Sequence, residues 1–274
     1  GNEILKYLQI DLVTGSKTTA EKVGSLENLT ISLNARNEWR KFTLEGYENF
    51  NQLIDELAIS IGEDNSYIVM QRAYAIFQKL RIGLSERPAE DIVRLDNLLD
   101  IVLKSDLRNN ALHFKAIVEL VFLSKDCGIA QDFAKQAIDL GRSVDAYTTT
   151  GSVYFLCKDY DLSIKSFKNA LALAPNDNGW FITRYLIPSM YRAGYKDQIM
   201  EVLTPIIDAT DIPANLLAYY AFVKLKDEEI DTAKRYFDRA KSKGISKKYL
   251  TRYEMDEPTF NDFASALNTL GEIP

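Results

Sequence analysis

The feature that most constrains this 274-residue chain is an internal period. Ser163-x3-Phe167-x2-Ala170 recurs 70 residues later as Ala233-x3-Phe237-x2-Ala240. Halfway, at an offset of 35, stand Gln198, Val202 and Pro205, a weaker copy, and Tyr195 keeps the same offset from Tyr160. Thirty-three residues before the first copy stand Ala130, Ala134 and Ala137. Columns of small and apolar residues at spacings of 33, 35 and 35 belong to paired-helix repeats. A small residue in the second helix of a pair lets the first approach closely, and the large residue one turn later fills the gap to the next pair. Each pair leaves an apolar face uncovered, so neighbours must stack to bury it.

The local periodicity agrees over most of the chain. Tyr160, Ile164, Phe167 and Leu171 fall at i, i+4, i+7 and i+11, one face of a helix. Ile230, Ala233, Phe237 and Ala240 repeat that face. Helices of roughly 12–18 residues follow one another, separated by short turns such as Lys158-Asp159 and Ala193-Gly194. The first 33 residues read differently. Leu8, Ile10 and Leu12 alternate with polar residues, as do Leu29, Ile31 and Leu33, and period two is a strand signal. The expected architecture is all-α, a solenoid of antiparallel helix pairs behind a small strand-containing N-terminal element. Its parts are residues 1–33 for that element, 34–108 for irregular pairs, 109–243 for the repeats and 244–274 for capping helices.

Composition excludes several functions. Lys plus Arg is 33 against 39 for Asp plus Glu, a net charge of −6, which argues against direct nucleic-acid binding. A single histidine, His113, rules out zinc motifs with two His ligands, and two cysteines rule out a four-Cys site. No stretch approaches 18 consecutive apolar residues, so this chain inserts no helix into a membrane. No signal peptide is visible, and the chain begins Gly1-Asn2-Glu3 without Met. Gly1 reads as a cloning remnant and the rest as an excised piece of a longer protein. No cofactor or metal is implied. A cytoplasmic location is the reading taken, with a periplasmic domain of a membrane-anchored protein as the alternative.

Residues 144–175 resemble a tetratricopeptide repeat. Gly151, Tyr154, Tyr160, Phe167, Ala170 and Pro175 match that family's Gly, aromatic, Tyr, Phe, Ala and Pro positions at its spacing, with Ser163 where the family prefers Ala. Asn178-Gly179 reads as the following turn, and Trp180 opens the next first helix. The 179–208 unit departs from the pattern: Pro188 and Pro205 fall inside its two expected helices, where each should kink or break the helix at a cost of about 3 kcal/mol. Trp39, Gly46 and Tyr47 read as remnants of a degenerate repeat. The layout of the whole chain also resembles, with no single motif behind it, the C-terminal domains of bacterial winged-helix one-component transcriptional regulators.

The tetratricopeptide resemblance implies a concave groove, lined by first helices, for a protein or peptide ligand. Its columns fall on Leu112, Lys115, Glu119 and Phe122, then Asp145, Thr148, Ser152 and Phe155, then Trp180, Thr183, Ile187 and Met190 with Arg184 adjacent, and last Asn215, Ala218 and Phe222 with Tyr219 adjacent; Lys115, Glu119, Trp180, Arg184, Tyr219 and Phe222 are the groove candidates. Aromatics with a few charges suit an apolar peptide or helix, although large aromatics are more often core. Thr148, Thr149 and Ser152 replace the Lys, Asn and Arg with which some relatives clamp a C-terminal carboxylate. The function implied is a non-enzymatic protein-interaction domain, the sensory or regulatory part of a bacterial regulator. The alternative is a small-ligand-sensing domain with its pocket between the N-terminal element and the first helical pairs.

Other features have ordinary readings. The basic run Lys234, Arg235, Arg239, Lys241, Lys243, Lys247, Lys248 and Arg252 reads as the solvated cap of the repeats. Thr14-Gly15-Ser16-Lys17-Thr18-Thr19 lacks the spacing of a phosphate loop and reads as a turn. His113 reads as structural, and Asp96 with Asp100 as helix surface. Cys127 and Cys157 fall near the same corner of successive repeats. A disulfide is open to them, but helices packed about 8–10 Å apart exceed the Cα separation of about 7 Å that a bond allows. Two free, partly buried thiols are the reading taken.

Overall fold

A computed structural model describes residues 21–39, 43–175, 180 and 182–274, apart from the side chains of residues 249, 252 and 253. The strand expected around Leu8, Ile10 and Leu12, the turn at Thr14–Thr19, the turn at Asn178-Gly179 and the Arg252 side chain lie outside these. Every regular element among the described residues is a helix. In order they are α1 (Leu26–Trp39), α2 (Leu44–Ile61), α3 (Ser66–Arg81), α4 (Pro88–Val102), α5 (Arg108–Val121), α6 (Cys127–Leu140) and α7 (Val144–Leu156). Then come α8 (Tyr160–Leu173), α9 (Thr183–Ala193), α10 (Lys196–Leu203), α11 (Ala214–Lys226), α12 (Ile230–Ser242), α13 (Lys247–Tyr253) and α14 (Glu257–Leu267). The chain divides into two compact units, Gly1–Cys157 and Lys158–Pro274.

In the first unit α1 pairs with α2, α3 with α4 and α5 with α6, and α7 packs on both α5 and α6. Its core is aliphatic and aromatic, with Phe50, Ile54, Leu57, Ile68, Leu95 and Leu99 buried. In the second, α8 packs on α9, α9 on α10, α11 on α12, and α14 on α11 and α13. Phe167, Ile182, Tyr219, Phe237 and Phe263 fill that core.

The period written in the side chains is also written in the backbone. Left-handed residues mark the turns after successive first helices: Lys125, Lys158, Gly194 and Glu228, at spacings of 33, 36 and 34. Only glycine adopts that conformation without cost. The repeating columns are buried as the period requires, with the all-small Ala130, Ala134 and Ala137 in α6 and the small-large-small Ser163, Phe167 and Ala170 in α8 and Ala233, Phe237 and Ala240 in α12.

Several expectations are corrected. Leu29, Ile31 and Leu33 lie in helix α1, not in a strand. The stripe this helix buries is Asn28, Leu29, Ser32 and Ala35, half of it polar. Asn28 Nδ2 donates to the Val23 carbonyl at 2.7 Å, and the Ser32 hydroxyl hydrogen-bonds the Tyr67 hydroxyl. These bonds satisfy the buried polar atoms, so the true period of 3.6 carries little apolar signal and a false period of 2 stands out. In α10 the buried column is Ile199 and Leu203, one position beyond the expected Gln198 and Val202. Gln198 instead accepts from Lys168 Nζ at 2.8 Å.

The two prolines behave differently. Pro205 lies beyond α10, which ends at Leu203 after only 8 residues. Pro188 sits within an unbroken α9. It has no amide for the carbonyl four residues back, Arg184, and that carbonyl is approached instead by Asn215 Nδ2 at 3.5 Å.

Cys127 and Cys157 are joined, with Cα atoms 5.7 Å apart. The expectation of free thiols used the spacing of helix axes. Both residues stand at helix ends, Cys127 opening α6 and Cys157 capping α7, where the chains converge more closely than axes do.

Candidate functional site

The six groove candidates fall in both units. In the first, Lys115 of α5 is buried, with its ammonium 2.5 Å from Asp100 Oδ1 and 2.9 Å from Asp96 Oδ1 of α4. Its charge also lies 5.9 Å from the Phe133 ring centre. Burial opposes that charge, but the two carboxylates together hold it above the usual lysine range. Asp96 and Asp100, read from sequence as plain surface, are its partners. One turn later Glu119 is also buried, and its Oε1 accepts the Ser124 amide at 3.4 Å where the chain leaves α5.

In the second unit Trp180 lies three residues before α9 and Arg184 in its first turn, both half-buried. Trp180 has a left-handed backbone, and its indole N–H is buried without a partner among the described residues. The Arg184 guanidinium lies 5.5 Å from the Tyr185 ring centre.

Tyr219 and Phe222 of α11 are covered by the chain's own last helix. Phe263 of α14 is fully buried, with its ring 5.3 Å from Tyr219, 5.0 Å from Phe222 and 5.4 Å from Tyr191 of α9. An amphipathic helix is therefore seated by one aromatic anchor across two first helices, α9 and α11. Asp256 caps α14 by accepting the Thr259 amide at 3.1 Å, and Arg192 of α9 donates to its other oxygen at 3.0 Å. Thr259 and Arg192 hold the Asp256 carboxyl well below the usual carboxylate range. Burial, and then the Asp262 charge, push the Tyr191 hydroxyl up to about 12. Beneath the anchor, Glu254 is buried and accepts from Asn215 Nδ2 at 2.6 Å and from the Tyr219 hydroxyl at 2.8 Å.

Sequence reasoning missed a second polar grouping, in the first unit. Arg36 of α1 stands 3.7 Å from Asp145 of α7, across 109 residues of sequence. The Tyr74 ring of α3 lies between Trp39, at 5.4 Å, and Phe114, at 4.5 Å. Burial lifts the Tyr74 hydroxyl above its usual range, with Asp145 adding to the shift and Arg36 opposing it. His113 of α5 is buried, which holds its imidazole below the ordinary histidine value, with the Asp145 charge in partial opposition. Helices α1, α3, α5 and α7 thus bring these groups within electrostatic reach of Asp145. Arg36 and Asp145 keep about a third of their side-chain surface exposed, at 32% and 29%. No motif spacing links four residues from four helices, so the sequence carries no signal for them.

The basic run is largely tied down within the second unit. Arg235 and Arg239 flank the Tyr236 ring at 4.8 and 5.3 Å. Arg239 also pairs with Asp208 at 3.2 Å, and Lys243 Nζ donates to the Thr210 carbonyl at 2.8 Å. Lys247 pairs with Glu257 at 2.8 Å. These contacts fasten the connection between α10 and α11 and the start of α14. No group of three or more metal-ligating side chains occurs among the described residues. No helix among them is long and apolar enough to cross a membrane.

No protein-family model matches this sequence, and no curated protein does. Among solved structures, the chain is similar to a tetratricopeptide repeat protein from Parabacteroides merdae, at 14% identity and a TM-score of 0.47 over 92% of this chain and 98% of that one.

Proposed function

We propose that this chain is a non-enzymatic interaction module whose first helices bind a protein or peptide partner. The observation that supports the reading is α14, seated on α9 and α11 through Phe263. A face that holds an amphipathic helix by an aromatic anchor has the chemistry to recognise one. In this reading Trp180 and Arg184, beside the face that α14 already occupies, contact the partner. Tyr219, which is buried, supports that surface from beneath, while Lys115 and Glu119 are buried in the first unit and have no part in it. The test is affinity capture from cells that make the protein, using the wild-type chain and a Trp180→Ala, Arg184→Ala variant whose unfolding midpoint matches it. A partner retained by the wild type alone is expected. Equal recovery by both chains overturns the reading.

A small-ligand-sensing role is favoured by a different observation, the grouping of Arg36, Tyr74, His113 and Asp145 in the first unit. A ligand held there would raise the thermal midpoint of the wild type. A metabolite screen that shifts the wild type and an Arg36→Ala, Asp145→Ala variant equally would dismiss it.

A further inference from the structure

Helix α6 buries only alanines, Ala130, Ala134 and Ala137. The cluster at its centre consists of Ala116, Ala130, Ala134 and Val153, with Ile117, Leu120 and Phe133 partly buried against it. Four small side chains remove little apolar surface from water, and hydrophobic stabilisation scales with that surface. A helical hairpin is tied at one end by its own turn, here residues 141–143. The other end, the start of α6 and the end of α7, has no such tie except Cys127 and Cys157, which face each other there. The bond closes a loop with a sequence separation of 30 around the hairpin. By limiting the unfolded chain, a staple of that span stabilises substantially where the core contributes little.

We propose that Cys127 and Cys157 form a structural cystine on which the α6–α7 hairpin depends, and that the chain works in an oxidising compartment. The bond forms by exchange. A thiolate of one cysteine attacks a sulfur of a donor disulfide, such as oxidised glutathione or a protein oxidant, and expels one thiolate. The second cysteine, as thiolate, then attacks the mixed disulfide and expels the other. Two cysteine protons are released, the cystine gains its sulfur–sulfur bond, and the donor disulfide is reduced by two electrons. Such bonds persist in secreted, periplasmic and extracellular proteins and are rare where glutathione keeps thiols reduced. Both cysteines are only half-buried, so exchange partners can reach them.

Two measurements test this. First, the full chain is equilibrated with oxidised glutathione, alkylated and weighed intact, and its thermal midpoint is compared with those of the reduced chain and a Cys127→Ser, Cys157→Ser variant. The oxidised chain should resist alkylation and melt about 5–10 °C above both others. Hydrogen exchange should quicken in α6 and α7 on reduction, a local readout that a general effect of reductant would not give. Two alkylatable thiols after oxidation, or equal midpoints with unchanged exchange, overturn the structural role. Second, cells that make the protein are quenched in acid and their thiols are tagged with a heavy maleimide. The chain should shift only after prior reduction. A chain doubly tagged without reduction overturns the assignment of compartment.

Discussion

Asn215 Nδ2 stands 3.5 Å from the Arg184 carbonyl, the group that Pro188 leaves without its helical amide, and 2.6 Å from Glu254 Oε1. One buried amide thus serves the irregularity of α9 and a buried carboxylate together. Replacing Asn215 by Ala strips a donor from both, and an unsatisfied buried acceptor costs about 1–3 kcal/mol. Pro188→Ala returns an amide to the Arg184 carbonyl, so Asn215→Ala should cost less in that background, by about 1 kcal/mol. Urea unfolding read through Trp180 in a Trp39→Phe chain places the reporter within the second unit, because each unit holds one of the two tryptophans. An identical cost for Asn215→Ala in both backgrounds would show that the amide does not serve that carbonyl.

Lys115 has two acidic partners, and its side chain is only 11% exposed while those of Asp96 and Asp100 are 31% and 51% exposed. Lys115→Met keeps the buried stem and removes the charge. The acids can turn to water, so the loss should stay near 1–2 kcal/mol, well below that of breaking a fully buried pair. Urea unfolding of the first unit, read through Trp39 in a Trp180→Phe chain, checks this. A loss above about 4 kcal/mol would mean that the acids cannot hydrate.

The repeat was legible because its signal is steric. Ala134, Phe167 and Phe237 must be small or large for pairs to stack, and the spacing survives in sequence and in buried positions alike. The α1 helix was not legible because Asn28 and Ser32 face inward on hydrogen bonds that only the folded partners Val23 and Tyr67 reveal. The site candidates show the same limit. Tyr219 and Phe222 have the composition of a binding face, but composition cannot tell a partner helix from the chain's own α14. Arg36 and Asp145 meet only through the packing of the first unit's helices, a tertiary fact with no local trace.

The turn after α11 offers a sharper test of the period. Glu228 adopts φ 64°, where the equivalent turn after α9 has Gly194 at φ 79°. A non-glycine residue pays about 1–2 kcal/mol for that conformation, partly offset by the added freedom of glycine in the unfolded chain. Glu228→Gly should therefore stabilise the second unit by about 0.5–1 kcal/mol, while β-branched Glu228→Val should destabilise it. The Trp180 unfolding signal reads both variants, and a destabilised Gly variant would contradict a left-handed turn at that position.

His113 gives the first unit its dependence on pH near neutrality. Burial holds the folded imidazole below its ordinary value of 6.5, so between those two values the unfolded chain binds a proton that the folded chain does not. Stability from this group is complete above about pH 6.5 and falls as pH drops below it, by at most about 1.4 kcal/mol per pH unit. Carboxylates such as Asp91, held low by Lys79 and Ser85 against the cost of burial, lose their contribution only below about pH 4. The interval from pH 7 to 5 therefore isolates His113, the single histidine of the chain. Its imidazole should give one NMR titration with a midpoint below 6.5. The unfolding midpoint read through Trp39 should fall from pH 7 to 5 in the wild type and much less in His113→Asn. An imidazole titrating above 6.5, or an unchanged slope in that variant, would place the proton-linked step on another group.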